Sequence, residues 1–124
     1  MNSVNGKRET MEQIFPIAKK YGGVVIGLTL DEEGIPDTAE KRVAIAQRII
    51  DTARSYGIPS SSIIIDTLVL TASAQQAEVI ETIRALRMVR ALGVRTALGV
   101  SNVSFGLPQR PLLNRTFLVM AMTA

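Results

Sequence analysis

Val24-Val25-Ile26-Gly27-Leu28-Thr29-Leu30 is apolar on both parities and runs directly into Asp31-Glu32-Glu33-Gly34-Ile35-Pro36. A strand with one wet face alternates apolar with polar residues, whereas a strand covered on both faces does not, so this run reads as a buried strand of a parallel sheet ending in a polar loop. Upstream, Met11, Ile14, Phe15 and Ala18 recur at helical spacing between Glu9 and Tyr21, and Gly22-Gly23 closes that helix. Downstream, Asp37 and Glu40 stand at the spacing of a reciprocal cap, Val43, Ala46, Ile50 and Ala53 share one helix face, and Gly57-Ile58-Pro59 is the stop. Ile63-Ile64-Ile65 is a short β-branched strand cut off at Asp66, and Thr67 to Ser73 reads as loop. A third helix carries Val79, Ile83, Leu86 and Val89 on one side and stops at Gly93. Thr96-Ala97-Leu98-Gly99-Val100 is another buried strand that delivers Ser101-Asn102-Val103-Ser104 at its end, and a helical segment follows from about Leu112 to Ala124.

Strands beginning near Val24, Ile63 and Thr96, each followed by a helix, recur about every 35 residues, which is the cadence of βαβ units with right-handed crossovers. The sheet is therefore expected to be parallel, with Met1 to Val4 as a fourth candidate strand. So few strands cannot close a barrel, which takes roughly 250 residues, and an open sheet needs edges guarded by charge or proline that are not evident here. The expectation is a fragment: one partial domain over residues 1–124.

Composition narrows the chemistry. The chain has 124 residues, 47% of them apolar, yet no apolar run reaches the roughly 18 to 20 residues of a membrane span, so the surplus is expected to form a core. The N-terminus lacks the pattern of a secretory signal, which makes the cytoplasm the default location. With no cysteine and no histidine, there is no disulfide framework, no thiolate metal site and no imidazole base, and no metal site is expected. The net charge of +3 is dispersed among acidic residues and aromatics make up 4%, so neither a basic stripe nor a stacking platform for nucleic acid is present.

Ligands of parallel α/β folds sit beyond the carboxyl ends of the strands, which singles out Asn2, Asp31, Asp66 and Asn102. Asp66 directly follows an isoleucine run, so its carboxylate is partly desolvated and needs donors; it can serve a ligand or cap its own loop. Asn102 can present donor and acceptor to a heterocycle edge, or form an Asx-turn. Asp31-Glu32-Glu33 fits a solvated loop better than an acid/base pair.

Met1-Asn2-Ser3-Val4-Asn5, Ile64-Ile65-Asp66-Thr67-Leu68 and Leu98-Gly99-Val100-Ser101-Asn102-Val103-Ser104-Phe105, in this order, resemble the pterin-binding domains of cobalamin-dependent methionine synthase and of the methyltetrahydrofolate:corrinoid/iron-sulfur protein methyltransferase. Leu113-Asn114-Arg115-Thr116-Phe117-Leu118, and Gly27-Leu28-Thr29 with Gly34-Ile35-Pro36, extend the resemblance over essentially the whole chain. It implies the C-terminal half of a (β/α)8 TIM barrel, dihydropteroate-synthase-like, with the pterin at the barrel mouth. Position by position, it makes Asp66 the acceptor for the pterin amino and ring N–H groups and Asn2 a second pterin contact, with Met1 where isoleucine is usual. It makes Asn102 the residue beside the methyl-bearing nitrogen, both pterin-binding and catalytic. The family's other pterin aspartate has no counterpart here.

The implied activity is methyl transfer from methyltetrahydrofolate to cob(I)alamin or another corrinoid, held on a cobalamin-binding domain or corrinoid protein. Phe105 and Gly106-Leu107-Pro108 look more like the methionine synthase version. The alternatives are the corrinoid/iron-sulfur protein methyltransferase and, from another class, a non-catalytic half-barrel that buries its open edges in a homodimer. The phosphate-binding signatures of dihydropteroate synthase are not evident.

Overall fold

The computed structural model describes residues 3–74 and 76–124. The elements are β1 (Ser3–Asn5), α1 (Arg8–Tyr21), β2 (Val25–Leu28), α2 (Ala39–Ser55), β3 (Ile63–Asp66), α3 (Gln76–Ala91), β4 (Arg95–Ala97) and α4 (Arg110–Thr123), with short 3-10 turns at Ser60–Ser62 and Val100–Ser104. All strand pairings are parallel, and the 4-stranded sheet runs β1-β2-β3-β4 in sequence order. Its register forms lateral rows: Ser3, Ile26, Ile64 and Arg95; then Val4, Gly27, Ile65 and Thr96; then Asn5, Leu28, Asp66 and Ala97.

Strand side chains alternate between faces, and the two faces meet different surroundings. Val4, Val25, Ile63 and Ile65 are at most 2% exposed and share one core with Met11 and Phe15 of α1, Ile45, Ile49 and Ala53 of α2, and Val89 of α3. The first three helices therefore pack on a single face of the sheet. A doubly wound sheet would distribute them over both faces; a singly wound sheet in sequence order is how the wall of a TIM-barrel-like fold is built, and this α/β chain has that architecture. The opposite face, carrying Asn5, Ile26, Leu28, Ile64, Asp66 and Ala97, is half-buried.

The close seat of α2 depends on a missing side chain. A Cβ on Gly27 would lie 2.9 Å from Ile65 Cδ1 and 3.1 Å from Ile49 Cγ2, so glycine lets the helix approach the strand. At the start of α2 the expected cap shifts by one residue. Thr38, extended at φ −108° and ψ 151°, is the N-cap, and its side chain accepts from Lys41 N at 3.4 Å. Asp37 instead accepts from Lys41 Nζ at 3.4 Å, Glu40 pairs with Arg84, and Glu81 of α3 accepts from Ala39 N at 2.7 Å, so the acid at the start of α2 comes from the neighbouring helix.

The sheet departs from expectation at both edges. β1 covers Ser3–Asn5; Met1 and Asn2, part of the expected strand, lie outside the described residues. β4 stops at Ala97, the partner of Asp66, short of the strand end expected at Val100, and a 3-10 turn occupies Val100–Ser104. The cause is pairing: β4 bonds only to β3 among the described residues, and once β3 ends nothing extends the ladder. No helix of the described residues is long and apolar enough to cross a membrane.

Gly27→Ala should destabilise the fold by about 1–3 kcal/mol through overpacking. Gly23→Ala, whose Cβ would meet nothing within 4 Å, should cost less than about 1 kcal/mol, and chemical denaturation of both variants checks the contrast.

Candidate functional site

Asp66 is the last residue of β3, and alternation after the fully buried Ile65 turns it to the face away from the helices. The backbone on either side is tightly held: Thr29 donates to Asp66 O through its N at 3.1 Å and its Oγ1 at 3.2 Å. Asp66 Oδ1 accepts from Leu68 N at 2.9 Å, and no other side-chain hydrogen bond of Asp66 is made within the described residues. Both readings of this residue thus have a physical basis, since one oxygen braces the local turn and the other is uncommitted. Burial pushes the carboxyl above its ordinary 3.8, and the Leu68 N–H pulls it back.

Asn102 lies in the 3-10 turn beyond β4, at the same end of the sheet as Asp66. Its backbone closes the turn, with its N donating to Gly99 O at 3.1 Å and its O accepting from Phe105 N at 3.2 Å. Its side chain is exposed and makes no hydrogen bond to another described residue, so the expected Asx-turn is not formed. Asn102 Nδ2 would stand 3.0 Å from a Cβ at Gly99, and the glycine leaves that space to the amide. The Asp66 and Asn102 loops are joined: Ala72 N donates to Val103 O at 3.0 Å and Ser73 Oγ to Phe105 O at 3.2 Å. Beneath them Val69, Ile83, Val103 and Phe117 form a second small core.

Sequence reasoning missed the polar supports of the Asn102 turn. Ser104, fully buried, donates through Oγ to Asn114 Oδ1 at 2.6 Å and accepts from Arg110 Nε at 3.0 Å, while Arg110 Nη2 reaches Ser101 O at 3.1 Å. The Leu113 to Leu118 motif therefore works as a brace, with Asn114 on Ser104 and Phe117 in the same small core as Val103. Asp31 behaves as loop: its Oδ1 accepts from Glu33 N at 3.0 Å and its Oδ2 lies 3.9 Å from Arg48 Nη1. Asn2 lies outside the described residues.

A half-desolvated carboxylate at the end of β3 and an uncommitted amide in the turn after β4 lie at the carboxyl ends of parallel strands, where α/β domains of this class place their ligand sites. The chain belongs to the pterin binding enzyme family, whose pattern matches residues 1–124. It is similar to the methionine synthase of Mycobacterium tuberculosis (strain ATCC 25618 / H37Rv), at 42% identity over 132 residues, covering 95% of the chain and 11% of that protein. The methionine synthase of Mycobacterium leprae (strain TN) is 39% identical with the same coverage. The methylcorrinoid:tetrahydrofolate methyltransferase of Eubacterium limosum is 28% identical over 126 residues, covering 98% of the chain and 46% of that protein. The chain thus spans about a tenth of the methionine synthases and under half of the third relative.

Folding raises the pKa of Asp66, so the native state favours the protonated carboxyl: the contribution to stability is fullest below pH 3.8 and is lost as pH rises through the folded value. Asp66→Asn, whose amide oxygen can still accept from Leu68 N, should be more stable than the parent at pH 7, with the difference shrinking as pH falls toward 3.8. Urea titrations at both ends of that range measure it, and the absence of any gain at pH 7 would contradict the assigned electrostatics.

Proposed function

We propose that this domain binds methyltetrahydrofolate and supports transfer of its methyl group to a cob(I)alamin or corrinoid, as in the folate step of methionine synthase. The observation that carries the reading is Asp66: a carboxylate at a strand end, half desolvated, with one oxygen steadied by Leu68 N and no second side-chain partner among the described residues. Such a group suits the adjacent amino and ring N–H donors of a pterin, a two-point contact strengthened by charge. Asn2 is proposed as a second pterin contact.

The methyl group leaves a tertiary nitrogen. As the C–N bond breaks, its electron pair goes to nitrogen, and that nitrogen must be protonated or hydrogen-bonded to depart. Asn102 carries an amide free to donate to it, a contact that strengthens as charge changes along the reaction. The corrinoid supplies reduced cobalt as nucleophile when bound. The residues assigned here serve the folate side of the reaction, and the corrinoid would be held on another domain or protein.

The methionine synthase reading is favoured by the 42% and 39% identities, against 28% for the methylcorrinoid:tetrahydrofolate methyltransferase, and the alternative is a methyltetrahydrofolate:corrinoid/iron-sulfur protein methyltransferase. In the complete protein, Asn102→Ala should slow methyl transfer by about 10²–10³-fold, the size of losing one transition-state donor, and should weaken methyltetrahydrofolate binding far less. Single-turnover transfer to cob(I)alamin, followed by its absorbance, reads this directly. An unchanged rate sinks the role of Asn102, and failure of the parent protein to bind methyltetrahydrofolate sinks the reading itself.

A further inference from the structure

Arg42 is fully buried, although it lies on α2 and takes no part in the site described above. Its Nε donates to Pro36 O at 2.8 Å, and its Nη2 to Glu78 Oε2 of α3 at 3.2 Å. Its Nη1 lies 3.2 Å from both Thr67 O and Leu68 O and 2.8 Å from Thr82 Oγ1. Thr82 Oγ1 lies in turn 3.1 Å from Leu68 O. The guanidinium thus gathers the two carbonyls that immediately follow Asp66 and ties them to the start of α2 and to α3.

That turn needs holding. Leu68 has φ +62°, a left-handed conformation that a leucine keeps only where its surroundings impose it. Thr67 does not hold the turn through its own side chain, because its Oγ1 is buried without a hydrogen-bond partner. The conformation of Leu68 in turn aims the N–H that Asp66 Oδ1 accepts at 2.9 Å. A buried ion pair such as Arg42 with Glu78 is a weak source of stability, since apolar side chains of similar volume often serve as well. What apolar side chains could not do is bind two adjacent carbonyls at fixed directions.

We propose that Arg42 is a positioning residue for pterin recognition, acting through the Thr67-Leu68 turn on the orientation of the Asp66 carboxylate. The proposal rests on the reading of Asp66 as the pterin-binding carboxylate. Arg42→Lys keeps the charge but loses the planar fork, and Thr82→Val removes the hydroxyl between Arg42 and Leu68 while nearly preserving shape.

The test uses the complete protein, with methyltetrahydrofolate as the titrant and hydrogen exchange read across residues 63–72. Arg42→Lys should weaken binding roughly tenfold, as when a partner that orients a binding group is removed, and Thr82→Val several-fold. Both should speed exchange at 67–70 while leaving β3 and α2 protected, a local change that a general loss of packing would not produce. Unchanged affinity in the folded variants, or protection lost evenly across the domain, overturns the proposal. If Arg42→Lys does not fold, Thr82→Val decides. Asp66→Asn separates the two levels: if it abolishes binding while Arg42→Lys and Thr82→Val bind normally, the positioning role alone falls; if it binds like the parent, the reading of Asp66 falls with it.

Discussion

The burial of Ile63 and Ile65 in the core shared with Ile49 and Val89 sets the geometry of everything that matters at the sheet end. Strand side chains alternate, so once these two isoleucines are committed to the helices, Asp66 has to face the other way. A slip of one residue would bury the carboxylate among aliphatic side chains, at a cost no neighbouring donor could offset. Register with β2 and β4 then places Asp66 in a row with Leu28 and Ala97, at the level where both neighbouring strands also end. The same alternation that builds the core aims the site.

Two cores divide the labour. The larger one joins three helices to one face of the sheet, and the smaller one, around Val69, Ile83, Val103 and Phe117, supports the loops that carry Asp66 and Asn102. Loops of this kind bring polar backbone into partly buried places, and each such group needs a partner. Here the partners are side chains: Arg110 on Ser101 O for the Asn102 turn, itself braced by Ser104 and Asn114, and Arg42 with Thr82 for the turn after Asp66. Asp66 and Asn102 are left with spare hydrogen-bonding capacity because other side chains satisfy the backbone around them.

Charge is used sparingly and at close quarters. Arg42 loses hydration on burial, which lowers its pKa, and Glu78, Glu81 and Asp37 oppose that shift. Glu81 is pulled below the ordinary carboxylate range, first by the Ala39 N–H it accepts and then by Arg84. Both residues link α2 to α3 near the strand ends, so the electrostatics of this region serve to join elements, and Asp66 stands apart from them with a backbone amide as its only side-chain partner among the described residues.

Much of this was legible in the amino-acid order. Apolar runs on both parities marked parallel strands, 3.6-residue spacing marked the helices, and an aspartate straight after three isoleucines marked the residue to watch, because each signal is local and repeats along the chain. The resemblance of three short stretches to pterin-binding domains pointed to the family that the comparison with known proteins then established. Other features had no local signal. Arg42 on an amphipathic helix reads like any solvated arginine, and only the arrival of Thr67, Leu68 and Thr82 from distant positions makes it a clamp. Glu81 reaching Ala39 N and the early end of β4 also depend on distant elements, whereas the bonds of Ser104 to Arg110 and Asn114 are short in sequence but follow no periodicity. Periodicity decides which face a residue takes, whereas hydrogen-bond partners separated by 25 or more residues, as Arg42 and Thr67 are, exist only once the chain has packed.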